Sequence, residues 1–150
     1  MTQEALLAYA HLLAILTLVV FLASEAALCR PEWLNAGVVE RLVTVDRIYG
    51  IAAGAVVVTG LARVFMGAKG AGWYAGNPLL YVKLALFLAA GLISIKPTLM
   101  FIRWRRDLRA SGALPGEAQI RQARKLVMVQ AHIIPLVPLA AVFMARGFGG

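Results

Sequence analysis

The chain has 150 residues, of which 61% are hydrophobic and 15% charged, with a net charge of +8. Its mean hydropathy of +0.80 excludes a soluble globular domain, which needs more polar surface to cover its core, and the length holds one domain. The basic residues sit between apolar runs rather than in a module of their own, so a bilayer accounts for them and nucleic acid is not expected. The single cysteine, Cys29, rules out an internal disulfide or a cysteine metal cage and leaves a buried or interfacial thiol.

The apolar runs predict an all-α integral membrane protein, a bundle of four transmembrane helices in up-down order. The spans cover about 6–28, 48–66, 79–102 and 126–145, each near the roughly 20 residues that cross about 30 Å of hydrocarbon. No segment alternates as a barrel strand would. The first span has His11 and Glu25 as its ionisable members. Its acidic leader Met1-Thr2-Gln3-Glu4 and its length predict a retained span rather than a signal peptide.

Span two carries Gly50, Ala53, Gly54 and Gly60, small residues that let helices approach closely. After it, Gly67 to Gly72 reads as a turn-rich surface segment, Trp73 and Tyr74 suit an interfacial aromatic belt, and Asn77-Pro78 caps the third span. Pro97 lies near the end of span three. Arg103-Trp104-Arg105-Arg106 follows as an orientation determinant and interfacial anchor. Residues 107–119 read as a loop, and Glu117 to Lys125 as a helical extension of span four. Within that span, Pro135 and Pro138 forfeit helical hydrogen bonds and bend the backbone.

Lys and Arg set the orientation. The stretch from Lys96 to Lys125 holds eight of them and the first connection holds Arg30, Arg41 and Arg47; the opposite side has Arg63, Lys69, Lys83 and Arg146. The first and third connections, including a loop at about 103–125, are therefore expected in the cytoplasm, and both termini outside: N-out/C-out, periplasmic in a bacterial inner membrane. The basic loop would meet anionic lipid headgroups, each residue contributing on the order of 1 kcal/mol.

Ionisable groups at membrane depth are costly and usually face the bundle interior. His11 and Glu25 are two heptads apart, so they share a face of span one with Ile15, Leu18 and Leu22. Lys83 enters span three at a depth like that of His11, giving an outer polar pair. Asp46, Arg47, Lys96 and His132 lie toward the inner side with Glu25, giving an inner polar cluster. His11 reads either as a metal or haem ligand or as an interfacial histidine bonded to the backbone. Lys83 either anchors a carboxylate or snorkels to headgroups. Glu25 reads as a structural ion pair with Arg47 or Lys96, or as a proton-relay group.

Two resemblances follow from short motifs. Val45-Asp46-Arg47-Ile48-Tyr49-Gly50, Lys69-Gly70 through Asn77-Pro78, and Ser94-Ile95-Lys96-Pro97-Thr98 resemble, nearly end to end, a bacterial family described as predicted membrane proteins with four spans. More distantly, Ala10-His11-Leu12-Leu13-Ala14, Glu40-Arg41-Leu42 and Lys83-Leu84-Ala85-Leu86 are similar to HemJ-type protoporphyrinogen oxidases, four-span proteins that bind haem. That likeness implies haem b as cofactor and functional roles for His11 and Lys83, with His11 as the metal ligand. The chain departs from that pattern at Leu28 to Trp33 and at Ser94 to Pro97. Tetrapyrrole binding is therefore expected before oxidoreductase activity. The alternatives are a non-catalytic accessory or assembly subunit of a larger membrane complex or a homo-oligomer, and a small transporter or proton pathway using Glu25.

Overall fold

The computed structural model describes residues 1–149 and is helical throughout its spans. The elements are α1 (Thr2–Leu28), α2 (Ala36–Met66), α3 (Gly70–Ala75), α4 (Pro78–Ser111), α5 (Glu117–Ile133) and α6 (Leu136–Ala145). Four candidate spans result: α1, α2, α4, and α5 with α6 together. One end of the bundle holds the α1–α2 and α4–α5 connections and most of the arginines; we call it the basic end. The other holds both termini and α3, and is the terminal end.

Helix boundaries follow local chemistry. Asn35 is extended, and its side chain accepts a 3.0 Å hydrogen bond from the Val38 amide, so α2 starts at Ala36. That is well before residue 48, where apolar composition alone begins the span. The added turns bury Val39, Leu42 and Val43 and leave Arg41 and Thr44 exposed, a one-sided pattern that extends a helix beyond the hydrocarbon. Asn77 caps α4 through the Leu79 amide at 2.9 Å, with Pro78 in the first turn. The Asn77 amide also donates to the Phe148 carbonyl at 3.1 Å, tying the C-terminal residues to the start of α4.

Two expectations for the basic end are corrected. Residues 107–111 continue α4, and the loop is only the short stretch between Ser111 and Glu117. Gly112 ends α4 at φ 72°, in the left-handed region where glycine carries no side-chain penalty. Trp104 is no interfacial anchor: it is 4% exposed and packs edge-on against Phe101, with ring centroids 5.4 Å apart. Arg109 on α4 instead reaches Glu40 on α2 through bonds of 2.8 and 2.9 Å, clamping these extensions together outside the hydrocarbon.

The fourth span is broken where the prolines predict a bend. With no amide hydrogen on Pro135 or Pro138, the α-helical ladder lapses: Ile134 still donates to the Gln130 carbonyl, and Val137 turns back to Ile134. The result is two helices meeting at Ile134–Pro135.

That break divides the bundle. α1 packs along α2 and against α5, while α4 packs on α2, α5 and α6; α1 approaches neither α4 nor α6. The four spans therefore close into a bundle toward the basic end, where α5 sits beside α1. Toward the terminal end α6 stays with α4 and leaves α1 without a neighbour on that side. The core cluster follows the same division, gathering Leu18, Leu22, Leu42, Phe101, Trp104 and Val127 toward the basic end. Val58, Leu61, Leu88 and Val142 are exposed, as lipid-facing side chains of a membrane helix should be. Lipid tails are as apolar as these residues, so packing rather than water exclusion holds the helices together.

Candidate functional site

Two polar groupings lie at different heights, and they differ in sign. Nearer the terminal end, α1 supplies His11. Its Nδ1 lies 2.8 Å from the Thr59 hydroxyl on α2, and that hydroxyl donates to the Ala55 carbonyl at 2.6 Å. Thr59 thus accepts from the imidazole Nδ1–H, which fixes the ring and leaves Nε2 as its free acceptor nitrogen. Gly60 makes room for the ring: a Cβ there would stand 3.3 Å from the His11 Cε1. Arg63, one turn further along α2, and Lys83 on α4 are close enough for their charges to act on His11. Arg63 acts on Lys83 as well. All three side chains are half-buried, and no carboxylate pairs with either cation among the described residues.

Lys83 is thus near enough for its charge to act on His11, on helices whose backbones do not come close to each other. Composition and depth pointed to neither Thr59 nor Arg63. The spacing of Thr59 and Arg63, one helical turn apart on one face of α2, is the signal that would have found them.

Toward the basic end the grouping is acidic and closed. Glu25 on α1 is 1% exposed and Asp46 on α2 is 7% exposed, and their carboxyl groups are within hydrogen-bonding reach of each other. Thr98 on α4 donates to Asp46 Oδ1 at 2.9 Å. Tyr49, one turn from Asp46, donates to Gln130 Oε1 on α5 at 2.9 Å, and the Gln130 amide donates to the Leu126 carbonyl at 3.3 Å. Side chains from all four spans therefore meet in one buried polar layer. Glu25 Oε1 has no partner in it.

The expected ion pair of Glu25 with Arg47 or Lys96 is not formed: both cations are exposed, and among the described residues neither bonds to a carboxylate. His132 is also exposed and bonds through Nδ1 to the Met128 carbonyl one turn back, at 2.6 Å. Of the inner cluster expected from depth, only Glu25 and Asp46 come together. Tyr49, Thr98 and Gln130 complete the layer in place of the three basic residues.

Below this layer the helix ends are locked. Arg124 on α5 donates to the Ala26 carbonyl at 2.6 Å and to the Cys29 carbonyl at 3.4 Å, satisfying the open end of α1. Cys29 is fully buried, with its thiol 3.7 Å from the Ile120 carbonyl. Among the described residues no three His, Cys, Asp or Glu side chains gather as a protein-only metal cage.

No curated protein and no solved structure matches the chain. One family does: its pattern covers residues 3–149, the whole of the four-helix architecture described above. The chain belongs to the family described as Predicted membrane protein (DUF2214).

Proposed function

We propose that this membrane protein binds a haem or related tetrapyrrole in the open half of the bundle. In this reading His11 Nε2 would ligate the iron, and Arg63 and Lys83 would pair with the two propionates. The observation that carries the reading is the combination of a ring already held by Thr59 with two unpaired cations at the same level. A metal-binding imidazole commonly donates its other nitrogen to a neighbour, which fixes its tautomer and raises its basicity; the Thr59 contact has that form. Half-buried cations without carboxylates favour an anionic partner. The bend at Ile134–Pro135 keeps α6 away from α1, so a flat amphipathic ligand could enter sideways from the lipid.

The donor set fits such a group on charge and on ligand chemistry, since imidazole suits iron and ammonium or guanidinium suits carboxylate. Bound haem would supply one-electron chemistry. The protein's residues would hold the ligand's plane, neutralise its acids and exclude water from one face. The HemJ-type likeness around His11 and Lys83 points to the same ligand class.

The bias of Lys and Arg toward the basic end supports placing that end in the cytoplasm of a bacterial inner membrane, with both termini periplasmic. On that orientation the ligand enters from the outer leaflet, and the arginines of α4 and α5 face anionic headgroups. The test is the absorption spectrum of detergent-purified protein titrated with haem. A Soret band that shifts or disappears in His11→Ala, and a weaker affinity in Lys83→Ala and Arg63→Ala, are expected. No band, or one unchanged in His11→Ala, would overturn the proposal.

A further inference from the structure

The acidic layer near the basic end has no part in the site proposed above, and it has its own physical demand. Glu25 and Asp46 are both buried and within hydrogen-bonding reach of each other, and among the described residues no Lys or Arg pairs with either. Two carboxylates in contact in a low-dielectric interior cannot both stay charged, because desolvation and mutual repulsion add. The groups facing them from each packed helix do not relieve this. α2 adds the Tyr49 hydroxyl, already donated to Gln130; α4 adds Thr98, a neutral donor; α5 adds neutral Gln130. Cys29 is a neutral thiol, and the guanidinium of Arg124, at the end of α1, is spent on backbone carbonyls.

We infer that Glu25 and Asp46 form a proton-binding site, a carboxyl pair that holds one proton in common. One acid carries the proton and donates it to the other, so the pair has a net charge of −1 and the proton is its ligand. Thr98 biases the arrangement by donating to Asp46 Oδ1, which favours the charge on Asp46 and the proton on Glu25. A separate observation is Glu25 Oε1, an oxygen with no hydrogen-bond partner among the described residues, on a side chain that is 1% exposed. A deprotonated glutamate would leave that oxygen as an uncompensated buried charge, whereas an acid leaves a neutral group. The pair titrates as a unit, in steps that belong to both residues together.

The test is infrared spectroscopy of the full chain in lipid vesicles at neutral pH, with sodium and potassium absent. The carbonyl stretch of a protonated carboxylic acid is expected, with a downshift in deuterium oxide. Glu25→Gln and Asp46→Asn should each abolish the whole band, because the remaining acid then gains an amide donor and ionises. Thr98→Val keeps both acids and should move the band without removing it; it also decides the matter if the other variants do not fold. Absence of the band in the native chain would overturn the inference. So would a band that halves in each single variant, which means two independent acids. Loss of the band on adding sodium or potassium would assign the site to a metal cation instead.

Discussion

The two halves of this bundle use the same helices to opposite ends. Toward the basic end, four spans converge on a polar layer with almost every donor and acceptor matched, sealed beneath by Arg124 on the end of α1. Toward the terminal end, the Ile134–Pro135 break withdraws α6, and a histidine and two cations are left half-buried without acids. A closed region limits the charge it holds and shares it through internal hydrogen bonds, whereas an open one can hold charge for a partner. A two-proline interruption in one helix is enough to make both regions from one topology.

The largest expected difference is in packing. Phe101→Ala removes a fully buried ring that stacks edge-on with Trp104, and should cost about 3–5 kcal/mol in reversible unfolding from mixed micelles. Val58→Ala, at a position 67% exposed on the lipid-facing side of α2, should stay within about 0.5 kcal/mol. Equal costs would contradict the packed core assigned to the basic end.

A smaller effect sharpens the claim that the polar layer is matched. Tyr49→Phe leaves Gln130 Oε1 without its donor in a buried site, at a cost of about 1–3 kcal/mol. Adding Gln130→Leu removes the orphaned group, so the double variant should recover much of that loss. An additive double variant would show that the two side chains do not act as a pair.

Chemical reactivity gives a further contrast. Burial pushes the Cys29 thiol up to about 12, so thiolate is scarce and the sulfur is shielded. Maleimide should leave Cys29 unmodified at mildly alkaline pH until the protein is denatured, as followed by mass spectrometry. Rapid labelling of the native protein would mean that the basic end opens.

The smallest change is Gly60→Ala, which places a methyl group 3.3 Å from the His11 ring. It should shift the imidazole nitrogen resonances of His11 and weaken its bond to Thr59 while leaving stability nearly unchanged.

Sequence patterning revealed the four spans because twenty apolar residues have few other uses. It also placed Glu25 and Asp46, and His11 and Lys83, at matching heights. Height was not sufficient, because a helix also has an azimuth. Arg47 follows Asp46 by about 100° around the axis, and Lys96 and His132 stand about 200° from Thr98 and Gln130 respectively. The three basic residues therefore have the right depth and the wrong face, and the neutral neighbours that looked unremarkable turn inward. The Gly50–Gly54 pair misleads for the same reason: both glycines are exposed, with nothing within 4 Å of an added Cβ. Trp104 beside three arginines looked interfacial because composition does not reveal that α4 runs on past the hydrocarbon and packs that face on the core.

The comparison between the halves is tested most directly by electron paramagnetic resonance distances between spin labels on α1 and the fourth span. One pair would sit toward the basic end at the exposed positions Ala27 and Gln122, the other toward the terminal end at the exposed positions Leu6 and Val142. The second pair should be clearly farther apart than the first, and Pro135→Ala with Pro138→Ala should shorten it. Equal separations in the native chain, unaffected by removing the prolines, would mean a bundle closed along its whole length and would contradict the open half on which the proposed ligand binding depends.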